Sequence, residues 1–247
     1  MRPIRRGSSP QVSDFDDYAK AKPELISRLG SYCSYCERRI ETNLAVEHIL
    51  PKKGPNAHPQ LIGRWENFLL ACVNCNATKG DKSVVLAEAM LPDRDNTFVV
   101  YTYTEDGKVS VAPGLVGPMA AAASATLSLV GLNKRMSSVT DSNGLLVARD
   151  RVEQRQQAWL TAQACKDDLD LYPTNQVVRR MVVRNATATG FFSIWMTVFA
   201  HDVDLRNQLL DAFDGTRGSQ CFAPVSSAPV SPAPNPNPDG LAGGGKA

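Results

Sequence analysis

The sequence predicts an α+β fold, with a small metal-stapled module near the N-terminus and a larger, mostly helical domain after it. Two pairs of cysteines in C-x-x-C spacing lie within residues 33–75. Residues 98–103 and 109–111 have strand-like composition around a turn, and helical spacing of apolar residues dominates from residue 119 onward. A chain of 247 residues has room for one domain or two small ones.

Composition and charge exclude several classes of protein. Apolar residues make up 43% of the chain and charged residues 21%, with a mean hydropathy of −0.23, which is typical of a soluble globular protein. The longest apolar stretch, residues 190–200, is shorter than the roughly 20 residues of a membrane span. Acidic residues follow the basic start where a signal peptide would have its apolar core. We therefore expect a cytoplasmic protein that has no membrane partner.

The chain divides into four stretches of different composition. Residues 1–22 are polar and charged and predict an arm that orders only on contact with something else, and residues 23–82 carry the motifs. Residues 83–222 predict a β-hairpin followed by a helical domain, and the Pro/Gly-rich residues 223–247 predict a disordered tail. The predicted helices cover residues 23–29, 120–130, 145–164, 175–186, 191–199 and 205–213.

Four of the six cysteines predict a structural zinc site. Cys33 and Cys36 form one pair and Cys72 and Cys75 the other. A reducing compartment argues against disulfides, and two such pairs supply the four thiolates that a tetrahedral zinc site takes. A closed site of this kind has no open coordination position, so the zinc would stabilise the fold without taking part in chemistry. Four free core cysteines are the less favoured alternative.

The segment between the cysteine pairs carries the candidate chemistry. Glu47 and His48 lie in a strand-like run, residues 44–50, and strand alternation separates their side chains unless the strand ends or bulges there. An apolar segment, residues 65–70, contains Asn67 and leads into the second cysteine pair. Net charge over the whole chain is only +2, but residues 1–82 hold 13 Lys and Arg against nine Asp and Glu. The basic excess lies beside the cysteines.

The order C-x-x-C, Glu-His-Ile-x-Pro, Asn, C-x-x-C-Asn-x-x-Lys-Gly-Asp resembles the HNH endonuclease family. The resemblance covers residues 31–82 and implies a ββα-metal fold, with a catalytic histidine on a strand and a metal ligand on a short helix. It implies that His48 is the general base, that Asn67 orients the histidine or its loop, and that Glu47 and Asn76 bind a catalytic Mg²⁺ or Mn²⁺. Other members more often have Asp at the first ligand and can have His at the second.

The implied reaction is metal-dependent hydrolysis of DNA phosphodiester bonds, leaving 5′-phosphate and 3′-hydroxyl ends. Basic residues around the motif are expected to contact the phosphates without reading sequence. These residues are Lys52, Lys53, Arg64, Lys79 and Lys82.

A narrower resemblance involves residues 129–133 and 190–195, which are similar to HNH proteins encoded beside an ATPase in anti-phage systems of the Septu and retron type. It implies that the helical half docks an ATPase partner. A zinc-knuckle binding module for nucleic acid or protein and an RNA-cleaving nuclease stay open as alternatives. The joint presence of all four motif residues favours an enzyme. Two cuts in a duplex would need sequential nicking or a homo-oligomer.

Overall fold

The computed structural model describes residues 1–135, 139–140, 142, 146–148 and 150–247. Its elements are α1 (Lys22–Leu29), β1 (Ala45–His48), β2 (Phe68–Ala71), α2 (Val73–Lys79), α3 (Thr97–Val100), β3 (Tyr101–Tyr103), β4 (Val109–Val111), α4 (Gly117–Val130), β5 (Val139–Thr140), β6 (Leu146–Ala148), α5 (Arg151–Leu171), α6 (Gln176–Thr189), α7 (Phe192–Val198) and α8 (Val203–Ala212). Three two-stranded antiparallel sheets, together with a larger number of residues in helix than in strand, confirm the predicted α+β class.

The motif segment forms a ββα unit. Strand β1 pairs antiparallel with β2, with Glu47 opposite Leu69 and His48 opposite Phe68. Helix α2 follows β2 at once, because Cys72 caps its first turn by accepting a hydrogen bond from the backbone N–H of Cys75. The helix ends at Gly80, whose φ of 54° is readily adopted by glycine. Helix α2 thus follows β2 without a loop, whereas the longer segment of residues 49–67 connects β1 to β2.

Two predicted elements differ in extent from those in the structure. The predicted first strand of the second hairpin, residues 98–103, is helical up to Val100 and extended only from Tyr101. The predicted helix over residues 145–164 begins at Arg151, because Asp150 and Glu153 form a reciprocal capping box at that point. Residues 146–148 are a strand instead, and residue 145 lies outside the described residues.

The helical half is organised around α5, which packs against α6 and α7. Aromatic side chains predicted to lie in the core do so: Phe191, Phe192, Trp195 and Phe199 are buried, and Trp159 packs against the same cluster. This cluster is continuous with the buried residues of the ββα unit. The core therefore joins the motif segment to the helical half.

The N-terminal residues differ from the predicted free arm. Met1 and Ile4 are fully buried, and the guanidinium of Arg2 donates to the carbonyl of Leu29 at 2.6 Å and to the hydroxyl of Thr216 at 2.8 Å. Arg6 donates to the carbonyl of Phe68 at 2.6 Å. The clustered arginines suggested solvent exposure, whereas in the fold their guanidiniums satisfy backbone carbonyls that the core would otherwise leave unpaired.

The Pro/Gly-rich tail also differs from the predicted disordered segment. Asn237 is buried and its side-chain amide donates to the carbonyls of Ile4 and Asp93, at 2.9 and 2.6 Å. The guanidinium of Arg94 donates to three successive tail carbonyls, those of residues 241–243. The tail is held by polar contacts, and these contacts cannot be predicted from the small apolar area of the segment. The four-part division of the chain stays a prediction.

Across the described ranges, every helix is too short or too polar to span a membrane.

Candidate active site

The four motif cysteines converge on one buried cluster. The Sγ atoms of Cys33, Cys36, Cys72 and Cys75 all lie within 4.8 Å of one another. Tetrahedral zinc with Zn–S bonds of about 2.3 Å separates its sulfur ligands by about 3.8 Å. The Sγ atoms of Cys36 and Cys72 are 3.8 Å apart. The donor set, the burial and this spacing all fit a structural zinc ion.

Two arginines flank the cysteine cluster. The Arg151 guanidinium donates to Cys75 Sγ at 3.1 Å and to the carbonyl of Val130 at 2.9 Å, and it also donates to the carbonyl of Gly131. Thiolates at Cys36 and Cys72 raise the pKa of Arg38 against the opposing effect of its own burial. Four thiolates around a divalent ion leave a net charge near −2, which these two cations are placed to offset. Arg151 begins α5, so the cluster is also tied to the helical half.

Glu47 and His48 both line one cleft of about 490 Å³. Simple strand alternation would place their side chains on opposite sides, but β1 ends at His48 and the chain turns away after it. The other walls come from the loop after β1 and from the C-terminal end of α2. The full lining is Val46, Glu47, His48, Pro51, Lys52, Lys53, Gly54, Asn76, Lys79, Gly80 and Asp81.

The imidazole of His48 is held in one orientation. Its Nε2 lies 2.9 Å from the carbonyl oxygen of Ile62, which can only accept a hydrogen bond. Nε2 therefore carries the proton, and Nδ1 has the free lone pair. The ring also packs edge-on against Tyr18 and Phe68, with centroid distances of 4.9 and 5.2 Å. Burial lowers the pKa of His48 to about 4, so the neutral form predominates at physiological pH.

Asn67 lies beneath the cleft and is fully buried. Its Oδ1 accepts the backbone N–H of Leu50 at 2.7 Å, and its Nδ2 donates to the carbonyls of Leu50 and Leu61 at 3.0 and 3.3 Å. Leu61 precedes the residue whose carbonyl holds His48. Asn67 thus fixes the end of β1 against the segment that orients the imidazole, which is the geometry expected of a positioning residue.

The carboxylate of Glu47 is buried beside Lys79. Glu47 Oε1 lies 2.8 Å from Lys79 Nζ, and the hydroxyl of Tyr35 is 3.5 Å from the same oxygen. Burial raises the pKa of Glu47, and the ammonium of Lys79 offsets part of that rise. Lys79 was predicted to contact nucleic acid, but its side chain is 1% exposed and its ammonium lies against Glu47. Its position on α2 turns it inward, toward β1, rather than toward solvent.

The other predicted residues fall into two groups. Asn76, Lys52 and Lys53 line the cleft with Glu47 and His48. Arg64 and Lys82 do not line it: Arg64 is half-exposed and pairs with Asp14 at 3.0 Å, and Lys82 is exposed at the far end of α2. An amide oxygen of Asn76 and a carboxylate oxygen of Glu47 in one cleft are hard donors that suit Mg²⁺ or Mn²⁺.

Several site residues had no signal in the sequence reasoning. Tyr18 packs on His48 and carries the ammonium of Lys52 above its ring, 3.5 Å from the centroid. Asp81 approaches Gly54 so closely that a Cβ on that glycine would lie 2.1 Å from Asp81 Oδ2. The Gly-Asp pair at the end of the motif was visible, but its contact with the loop after β1 depends on the fold.

Comparison with known proteins agrees with this geometry. Residues 33–82 match the model of the HNH endonuclease family. This segment is thus similar to the HNH endonuclease family, and it is called the HNH module below. The match begins at Cys33 and ends at Lys82, so it contains both cysteine pairs and the four motif residues Glu47, His48, Asn67 and Asn76.

Two curated relatives extend the similarity beyond the HNH module. A protein of Vibrio cholerae serotype O1 biovar El Tor, named as an HNH endonuclease of retron Vc95, is 28% identical over 143 residues, which are 52% of this chain and 68% of that protein. The Septu protein PtuB of Bacillus thuringiensis is 30% identical over 93 residues, 35% of each chain. The resemblance to HNH proteins of retron and Septu systems is confirmed. The chain spans only about a third of PtuB.

Proposed function

We propose that this chain is a metal-dependent endonuclease that hydrolyses DNA phosphodiester bonds in bacterial defence against phage. The observation that carries the proposal is the convergence of His48, Glu47 and Asn76 on one cleft within an HNH module. The defence role is supported by the names of the two relatives, which refer to a retron and to Septu.

The geometry of His48 supports the role of general base. A neutral imidazole whose Nε2 proton is engaged by Ile62 can accept a proton from an attacking water only at Nδ1. Asn67 holds the segment that fixes this orientation. A base with a lowered pKa is deprotonated at working pH, and general-base catalysis of this kind contributes about 10²–10⁴-fold.

Glu47 and Asn76 are the residues that would hold the catalytic cation. A divalent ion at such a site supplies positive charge where the leaving 3′-oxygen develops negative charge. Lys52 and Lys53 line the same cleft and would position the phosphate backbone without reading bases. Arg64 and Lys82 would contact phosphates outside the cleft.

The helical half is proposed to dock an ATPase that licenses cleavage, as the Septu and retron resemblance implies. Its role is separable from the chemistry, because none of the residues lining the cleft comes from α4 to α8.

The test is cleavage of supercoiled plasmid by the zinc-loaded protein with Mg²⁺, with Mn²⁺ or with EDTA. We expect metal-dependent nicking or linearisation that His48→Ala reduces at least 100-fold. His201→Ala is the matched control, since His201 is exposed and does not line the cleft. Cleavage of RNA but not DNA would identify an RNA nuclease.

Inertness of the wild type toward both nucleic acids, with zinc present, calls for a repeat with the proposed ATPase partner added. Activity restored by the ATPase would support licensing by that partner. Inertness in its presence would refute the enzyme and favour a binding module.

A further inference from the structure

Lys79 joins the two adjacent residues that carry the proposed chemistry. Its Nζ lies 2.8 Å from Oε1 of Glu47 and donates to the carbonyl oxygen of His48 at 2.7 Å. Both partners belong to the end of β1, whereas Lys79 is the last residue of α2. One ammonium therefore connects the helix that carries Asn76 to the strand that carries Glu47 and His48.

The contact is built into the interior of the module. The side chains of Lys79 and Glu47 are 1% and 4% exposed. A buried ammonium needs its charge and its donors satisfied, and the Glu47 carboxylate and the His48 carbonyl both lie within ordinary hydrogen-bond distance of it. Lys79 borders the cleft, but its ammonium is engaged by these two groups. In contrast, Lys53 and Lys82 are exposed.

The ion pair with Lys79 makes the two carboxylate oxygens of Glu47 inequivalent. Oε1 faces the ammonium and the Tyr35 hydroxyl. Oε2 accepts no hydrogen bond from the residues that the structure describes. A divalent cation held by Glu47 in the cleft would thus find one oxygen already engaged by a positive group, which opposes binding through both oxygens and repels the ion.

We propose that Lys79 is a positioning residue of the active site, which fixes the Glu47 carboxylate relative to His48 and restricts the catalytic cation to the second carboxylate oxygen. This inference rests on the proposed nuclease function and deepens it. The ammonium lowers the intrinsic affinity of the site for the cation and in return holds ligand and base in the arrangement that the reaction requires. Lys79 therefore has two opposite effects: it improves the arrangement of Glu47 and His48, and it weakens the affinity of the site for the cation.

The experiment compares Lys79→Met with the wild type as zinc-loaded, full-length proteins. Binding of Mn²⁺ is measured by the electron paramagnetic resonance signal of the free ion, and cleavage kinetics are measured at saturating Mn²⁺. We expect Lys79→Met to bind Mn²⁺ at least threefold more tightly and to have a kcat at least tenfold lower, with KM for DNA changed less than threefold. Opposite changes in affinity and kcat are the signature, because misfolding weakens both.

Two other lysines serve as controls. Lys82→Met removes an exposed lysine just beyond α2, and it should raise KM without tightening Mn²⁺ binding. Lys166→Met removes a lysine of the distant helix α5 that pairs with Asp170, and it should change neither quantity. Zinc content and far-UV circular dichroism report whether each variant is folded. If Lys79→Met fails to fold, Lys79→Gln replaces it with the same expectations.

Three results would overturn the proposal: an unchanged kcat, a loss confined to KM, or weaker Mn²⁺ binding in a folded, zinc-loaded variant. Failure of the nuclease function itself is distinguishable. A wild type that cleaves no nucleic acid even with the ATPase partner present refutes the proposed function, and the Mn²⁺ arm still decides whether Lys79 restrains the carboxylate of Glu47.

Discussion

Substitution of Asn67 tests the geometry beneath the cleft. Asn67→Ala removes three hydrogen bonds and leaves the N–H and the carbonyl of buried Leu50 without that partner, whereas the carbonyl of Leu61 keeps the N–H of Arg64 at 3.3 Å. At the lower bound of about 1 kcal/mol for each of the two buried groups, the free energy of unfolding should fall by about 2 kcal/mol. That is a large fraction of the roughly 5–15 kcal/mol of a typical domain. The loss is measured by urea denaturation of the zinc-loaded protein, with the slope unchanged.

The isosteric variant Asn67→Asp sharpens the test. It keeps the acceptor for the Leu50 N–H but places a carboxylate oxygen against two carbonyl oxygens. It should therefore be at least as destabilised at pH 7 and partly recover as the pH falls below about 5, where the new carboxyl can bind a proton. Asn56→Ala, which removes one exposed hydrogen bond to Asp81, is the control and should cost less than about 1 kcal/mol. An Asn67→Asp protein as stable as the wild type at pH 7 would refute the reasoning.

Two further predictions concern His48 and the zinc cluster. Because burial lowers the pKa of His48 to about 4, the unfolded chain binds its proton first, and the wild type should lose about 2–4 kcal/mol relative to His48→Gln as the pH falls from 6.5 to 4. Equal pH dependence of the two proteins in parallel denaturation series would contradict this. The purified chain should contain one zinc ion, and Arg151→Met should release it to a chelator at least tenfold faster, since Cys75 loses its cationic partner. Arg179→Met, which breaks a pair with Asp202 far from the thiolates, should not change the release rate.

Much of the HNH module could be predicted because its signals are local. The cysteine spacing identified the ligand cluster, and a run of apolar residues ending at Pro51 identified β1. The helix after Cys72 followed from the motif, and helical periodicity located most of the later helices within a few residues. These features depend on residues that are close together in the sequence, so a single sequence is enough to predict them.

The differences between prediction and structure share another cause. Lys79 was assigned to phosphate contact because a lysine near a basic motif is usually solvated, and only the packing of α2 on β1 turns it inward. The start of α5 was predicted too early because apolar residues 145–148 lie just before it, while the deciding signal is the cap formed by Asp150 and Glu153. The N-terminal residues and the tail were judged by composition, whereas their order comes from long-range hydrogen bonds such as that from Asn237 to Ile4.

Because Arg151 contacts Cys75, the HNH module depends on the helical half and is poorly suited to transfer into another protein. A fragment ending at residue 82 would keep all four thiolates but lose the guanidinium that offsets their charge and the carbonyls of Val130 and Gly131, at the end of α4, that orient it. By thermodynamic linkage, a metal that binds more tightly when α5 is in place must equally favour the docking of α5. Zinc occupancy and the integrity of the helical half should therefore change together. A partner that displaces α5 would also change the environment of Cys75, which directly precedes Asn76 and lies four residues before Lys79, two residues of α2 that line the cleft.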